Sequence, residues 1–342
     1  MKRILAIDGG GIRGIVPGLV LASLEEKLQR RSQNPNARLA DYFDFVAGTS
    51  TGGILTCLYL CPMVDNPQQA RFSAREAVEL YVANGGSIFH ISLWKRITSW
   101  SGLSDEKHDA GELERLLELY FGQIRLSQLL KPCFIPAYDI QSRTEFFFTQ
   151  HEAQQRGNRY DFLIKDVCRA TSAAPTYFEA ALTPALDGVL YPLIDGGIFM
   201  NNPTLGAYSE VSNAIGKPSA EDMFIVSLGT GTANRAYAYK QAKNWGKIKW
   251  IKPVIDIMMS GASATTSYHL KKIFSAIDRS NQYVRIQPKD LGNASSDFDD
   301  ATPGNIAALI ALGQRTAEEY NDQLNYIADV LLGLDTDLIQ FA

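Results

Sequence analysis

Apolar residues along this chain follow two alternating rhythms. Ile4-Leu5-Ala6-Ile7 is a short unbroken apolar run of the length of a buried strand, and past a glycine cluster Val16, Leu19, Val20, Leu24 and Leu28 recur at helical spacing. After a polar loop around Asn34-Pro35-Asn36 the grammar repeats: a strand over 43–47, a run of glycines and hydroxyl residues, then a helix from Ile54. The same periodicities predict helices over 74–82, 111–120 and 306–332, and strands over 134–138, 145–149, 189–194 and 224–228. Strands alternating with helices predict an α/β fold, with a sheet covered on both faces. No internal period of about 20 to 50 residues is present. With no low-complexity linker either, residues 1–342 read as one domain.

Composition changes this picture in two places. At 46% hydrophobic and 20% charged residues the chain is unlike disordered, collagen-like or coiled-coil sequences. A net charge of −4 argues against a general nucleic-acid coat, so neither DNA nor RNA is expected as a partner. The charge is unevenly placed, however. Between Thr232 and Lys272 stand Arg235, Lys240, Lys243, Lys247, Lys249, Lys252, Lys271 and Lys272 against Asp256 alone, a local +7 that leaves −11 for the remainder. Trp245 and Trp250 interleave with these lysines. The segment is therefore expected to be a regulatory or membrane-facing element outside the catalytic layer, suited to a phospholipid interface or to a nucleotide. A solvated face with two core tryptophans is the plain alternative.

Four cysteines, Cys57, Cys61, Cys133 and Cys168, are too sparse for a disulfide framework. Cys57 and Cys61 lie one helical turn apart within an apolar run without a neighbouring histidine or cysteine cluster, which reads as core packing and not as a metal site. The opening Met1-Lys2-Arg3 passes into only four apolar residues, and no apolar stretch reaches the ~18 residues of a membrane span. A cytoplasmic protein, peripheral at membranes when active, is the expectation.

Three glycine-bearing motifs carry the chemistry. Gly48-Thr49-Ser50-Thr51-Gly52-Gly53 fits G-x-S-x-G between a strand and a helix, the setting of a nucleophile elbow in which a serine hydroxyl sits at a helix N-terminus. A plain Gly-rich turn is the alternative. Asp8-Gly9-Gly10-Gly11-Ile12-Arg13-Gly14 contains G-x-G-x-x-G, but the second strand ends in the serine motif and not in the acidic residue that a dinucleotide fold requires. Successive N–H groups of Gly9, Gly10 and Gly11 suit an oxyanion hole, with Arg13 orienting the loop or attracting a phosphate. Asp195 ends an apolar strand and is followed by Gly196-Gly197, which exposes an acid to a site or merely makes an Asx turn. Of His90, His108, His151 and His269, none has a motif around it. Three readings stay open: a Ser50–Asp195 dyad, a soluble esterase with a Ser50–Asp195–His269 triad, and a non-catalytic storage or nucleotide-binding module.

Together the motifs at 8–14, 48–52 and 195–197 resemble the patatin-like phospholipase family, as do the stretch Thr171 to Phe178, the tail Asn201-Asn202-Pro203 and Ser227-Leu228-Gly229-Thr230-Gly231. The resemblance covers 1–231, whereas 232–342 is less distinctive. It implies a three-layer α/β/α fold around a mainly parallel sheet, and a lipid acyl hydrolase of phospholipase A or lysophospholipase type. Ser50 and Asp195 match the family's nucleophile and base, Gly9, Gly10, Gly11 and Arg13 its oxyanion loop, and Gly48, Gly52, Gly196 and Gly197 its supporting glycines. No metal and no cofactor are implied. Likeness to bacterial members adds a cyclic nucleotide activator in anti-phage defence, and a phospholipid surface and a homodimer are the other expected partnerships.

Overall fold

The computed structural model describes residues 1–88, 110–232 and 236–334. His90, His108 and Arg235 lie outside the described residues. The strands β1 (Lys2–Ile7), β2 (Phe45–Gly48), β3 (Cys133–Asp139), β4 (Thr144–Thr149), β5 (Ala181–Pro184), β6 (Leu190–Asp195), β7 (Met223–Leu228) and β8 (Tyr283–Ile286) form one sheet. Its order is β5-β6-β3-β2-β1-β7-β8, with β4 also on β3. Pairing is parallel from β3 through β2, β1 and β7 to β8, and antiparallel where β3 meets β4 and β6 and where β6 meets β5.

The longer helices are α1 (Ile15–Ser32), α2 (Thr51–Leu60), α3 (Ala74–Ile88), α4 (Ala110–Phe121), α5 (Ile164–Thr171), α6 (Thr204–Ser212), α7 (Lys247–Ala276), α8 (Pro303–Glu319) and α9 (Asn321–Leu332). Side chains of β1 alternate between two cores, as a period of two requires. Leu5 and Ile7 pack with Val20 and Leu24 of α1, Leu55 and Leu58 of α2 and Leu324 and Ile327 of α9. Ile4 and Ala6 face the other way, onto Ala207 and Val211 of α6 and Leu270 and Phe274 of α7. The result is the expected three-layer α/β/α arrangement with a mostly parallel sheet. All four cysteines are buried free thiols.

Two differences from the sequence reading have physical causes. The continuous periodicity over 306–332 is two helices, because the chain turns at Tyr320 (φ −101°, ψ 19°), whose hydroxyl donates to the Gln287 carbonyl at 2.9 Å. Residues 247–276, part of the basic segment expected outside the catalytic layer, form one helix that packs into the second core. Apolar residues on both of its faces had blurred its period.

What positions the site is the edge of β3. Phe134 pairs with Ala47 of β2 and with Thr149 of β4, while Ala137 pairs with Asp195 of β6 and with Phe146 of β4. With β4 occupying one edge throughout, β2 and β6 lie end to end along the other. Parallel β2 and antiparallel β6 therefore point their C-terminal ends at each other. A methyl on Gly52 would lie 2.2 Å from the Ile7 carbonyl oxygen, and one on Gly48 2.0 Å from that of Gly52, so both glycines are set by close backbone approach.

Gly52→Ala is expected to destabilise by about 3 kcal/mol or more, since backbone must move to admit the methyl. Gly261→Ala, on the exposed side of α7 with nothing within 4 Å, is expected to stabilise by about 0.5–1 kcal/mol. Urea unfolding of the two variants checks both signs.

Candidate active site

Ser50 stands at the junction of β2 and α2 with φ 54° and ψ −122°, a backbone conformation that an L-residue keeps only when its surroundings hold it. Thr171, at the end of α5, does much of the holding. Its fully buried hydroxyl accepts from the Ser50 N–H at 3.0 Å and donates to the Pro136 carbonyl of β3 at 2.8 Å. Next to it in sequence, the Thr49 hydroxyl donates to the Met200 carbonyl at 2.7 Å.

Asp195 arrives from β6, its N–H donating to the Ala173 carbonyl at 3.0 Å. Its Oδ1 accepts from the Gly197 N–H at 2.7 Å, and its buried Oδ2 has no hydrogen-bond partner among the described residues. Burial pushes the carboxyl pKa up to about 7 against the weaker opposing pull of the Ser50 hydroxyl and the Gly197 N–H. Among the described residues no cation counters the burial. Gly196 is close to the Pro136 carbonyl of β3, where a Cβ would come within 2.5 Å of the oxygen.

In the glycine loop the structure divides the expected oxyanion donors. Gly9 does not qualify, because its N–H is used in a 2.9 Å bond to the Asn201 carbonyl. Arg13 N–H donates back to Gly10 and Ile12 N–H to Phe298. Among the described residues the N–H groups of Gly10 and Gly11 have no protein acceptor, and Gly11 borders the same cleft as Ser50. The Arg13 guanidinium is buried 4.2 Å above the Phe298 ring and makes no ion pair among the described residues; burial pulls its pKa down to about 10. It braces the loop as a side chain.

Asp8 opens this loop but does not face the serine. Its carboxylate takes two hydrogen bonds from Arg285 of β8, at 2.8 and 2.5 Å, and a longer one from Ser263 of α7 at 3.3 Å. Burial raises the Asp8 pKa, and the Arg285 cation works against it. Asn201 links the parts, donating from Nδ2 to Ser263 at 3.0 Å while its carbonyl holds Gly9. Sequence reasoning missed Arg285 and Ser263 and gave Thr171 no role. Their signals are faint: an arginine inside a four-residue strand, a serine in a helix of blurred period, and a threonine heading Thr171-Ser172-Ala173-Ala174-Pro175.

Ser50 and Asp195 border an open cleft of about 1040 Å³ whose walls are almost wholly apolar, with Ile54 and Leu58 of α2, Leu113 and Leu117 of α4, and Ile255 and Met259 of α7. His269 is elsewhere. It lies exposed on α7 against the Tyr268 ring, and no described histidine hydrogen-bonds to Asp195, so the expected Ser50–Asp195–His269 alternative is not assembled. His151 sits 3.5 Å from Glu210.

A family model described as patatin-like phospholipase matches residues 5–208. Patatin-like protein 2 of Oryza sativa subsp. japonica is 34% identical over 340 residues, covering 92% of this chain and 83% of its own. Patatin-like protein 1 of Arabidopsis thaliana is 34% identical over 351 residues, 95% of this chain and 83% of its own. A Solanum tuberosum relative, probable inactive patatin-3-Kuras 1, is 31% identical over 342 residues, 95% and 89% of the two chains.

The Asp195 environment has a stability signature. Because the folded pKa of about 7 exceeds the ordinary 3.8, folding favours the protonated form. Below about pH 4 both states are protonated and nothing is lost; stability then falls as pH rises, and the loss is complete above about 7. Asp195→Asn is expected to gain stability over the parent across that window, by on the order of 4 kcal/mol at most. Urea unfolding of both proteins at either end of the window checks it; parallel curves would refute it.

Proposed function

The chain belongs to the patatin-like phospholipase family, and from that premise we propose that Ser50 and Asp195 hydrolyse lipid acyl esters as a two-residue unit. A relative named as probably inactive means that membership alone does not secure activity. The reading rests on one observation: among the described residues a buried Asp195 carboxylate with no cation or histidine on it borders the same apolar cleft as the Ser50 hydroxyl, and burial lifts its pKa to about 7. At neutral pH such an acid is close to half ionised and is a far better base than an ordinary aspartate.

In the proposed reaction Asp195 takes the Ser50 proton as Oγ attacks the ester carbonyl carbon. The charge that develops on the carbonyl oxygen meets the free N–H groups of Gly10 and Gly11 and the positive end of α2. Collapse of the adduct breaks the ester bond, and Asp195 returns the proton to the departing alcohol. The acyl group stays on Ser50, its chain in the apolar cleft. Asp195 then takes a proton from water as its oxygen attacks the acyl carbon; the acyl–Oγ bond breaks, and Asp195 returns the proton to Ser50 as the fatty acid leaves. Phospholipids and lysophospholipids are the proposed substrates, since cleft walls of leucine, isoleucine and methionine suit an alkyl chain and, among the described residues, Asp195 is the only charged one lining them.

Ser50→Ala is expected to abolish both ester hydrolysis and labelling by a fluorophosphonate without unfolding the chain. Asp195→Asn should lose several orders of magnitude in kcat, while His269→Ala stays within about tenfold of the parent, under ~1.4 kcal/mol of barrier. The parent's kcat/KM should rise with pH through about 7, as the base ionises. A folded parent that neither labels nor hydrolyses would favour the storage or binding module instead.

A further inference from the structure

Helix α7 presents opposite faces to two different environments. On its inner side Ile255 and Met259 line the cleft and Ser263 bonds to Asp8 and Asn201. On its outer side Trp250, Ile251, Val254, Ile257 and Met258 are between 37% and 47% exposed, at spacings that place them on one stripe. Such a stripe is larger than the scattered apolar residues of an ordinary soluble surface. Trp250 and Trp245 meet edge to face at 5.1 Å, and Trp245 meets Tyr237 at 5.5 Å, so the stripe begins in an aromatic cluster with polar tips.

The charges beside the stripe indicate what covers it. Lys240, Lys243, Lys247 and Lys249 are exposed, and none makes an ion pair among the described residues. Two of them stand in the first turn of α7, which holds no acidic residue. A helix N-terminus carries positive partial charge, so lysines there raise the energy of the free protein. An external surface bearing many negative charges relieves both the repulsion and the apolar exposure. An ion or a nucleotide would relieve only the first, and a second copy of this stripe would bring lysines against lysines.

We propose that α7 is an interfacial helix, which seats the protein on an anionic lipid bilayer with Trp250, Ile251, Val254, Ile257 and Met258 in the acyl boundary and the four lysines at the headgroups. Its inner face is a wall of the cleft, so docking brings that wall within about one helix diameter, ~10 Å, of the lipid. That link to catalysis rests on the hydrolase reading; the docking does not.

The test uses the full chain and vesicles of non-hydrolysable diether phosphatidylcholine, with or without diether phosphatidylglycerol. Each lysine near an anionic leaflet is worth about fivefold in partitioning at low salt, so the parent should favour the phosphatidylglycerol vesicles by about 100-fold or more, less as salt rises. Replacing Ile251, Val254 and Met258 together by Gln should weaken sedimentation with these vesicles by about 100-fold. The variant Lys240→Gln, Lys243→Gln, Lys247→Gln and Lys249→Gln should lose the anionic preference. Both variants should hydrolyse a short soluble ester as the parent does, and hydrolyse vesicular diacyl lipid in proportion to their binding. Equal partitioning of parent and variants overturns the proposal. So does a parent dimer that dissociates in the Ile251, Val254 and Met258 variant while no vesicle binding is seen, which assigns the stripe to a second copy. Vesicle binding by a parent inert on every ester would overturn the hydrolase reading and leave the docking in place.

Discussion

The site depends on a single constraint of the sheet: β3 carries two strands end to end on one edge. β2 runs with β3 and β6 runs against it, so their last residues converge at Pro136, where neither strand supplies a pairing partner. The exposed Pro136 carbonyl is taken by the Thr171 hydroxyl, which in turn accepts the Ser50 N–H. Two residues further on, the Ala173 carbonyl accepts the Asp195 N–H. The end of α5 and the residues just past it therefore tie down the backbone of both Ser50 and Asp195, and the positive φ of Ser50 is maintained by partners fixed on β3.

Two buried aspartates show how the same desolvation serves opposite ends. Asp8 and Asp195 are each 2% exposed, and burial raises the pKa of both. Asp8 is met by a two-pronged guanidinium, the geometry that best compensates a buried carboxylate, and the pair ties β1, β8 and α7 together across the sheet. Asp195 has one N–H on Oδ1, and among the described residues its Oδ2 has no hydrogen-bond partner. A group so placed weakens the fold at neutral pH, which explains why the surrounding contacts are so heavily tied. The cost is borne where a base is needed, and the support is located in Thr171, Asn201 and Arg285.

How much of this was legible in the sequence depended on how local each cause is. Ser50 and Asp195 were legible because an elbow and a strand-end acid require glycines within a few positions, and Gly48, Gly52, Gly196 and Gly197 stand there in the sequence. The alternating core of β1 and the helices around it were legible for the same reason. The fate of the Gly9 N–H was not, because its acceptor is the carbonyl of Asn201, brought in by the turn after β6. Arg285 was illegible as the partner of Asp8, since β8 is only four residues long and joins the sheet through β7. α7 escaped because Trp250, Ile251 and Met258 on one side and Ile255, Met259 and Phe274 on the other leave little polar face to mark a period.

The raised Asp195 pKa and the apolar cleft have a common origin, and this couples base strength to what fills the cleft. The carboxylate is desolvated partly by α7, whose Met259 methyl lies about where a side chain on Gly197 would begin, 3.1 Å from that Cβ position. An alkyl chain in the cleft excludes water as Met259 does, so a bound acyl group keeps the base strong through the step that needs it. Water entering the empty cleft would solvate the free Oδ2 and lower the pKa. In the reaction proposed above Asp195 also activates water, and it is best prepared to act as a base when its surroundings are driest.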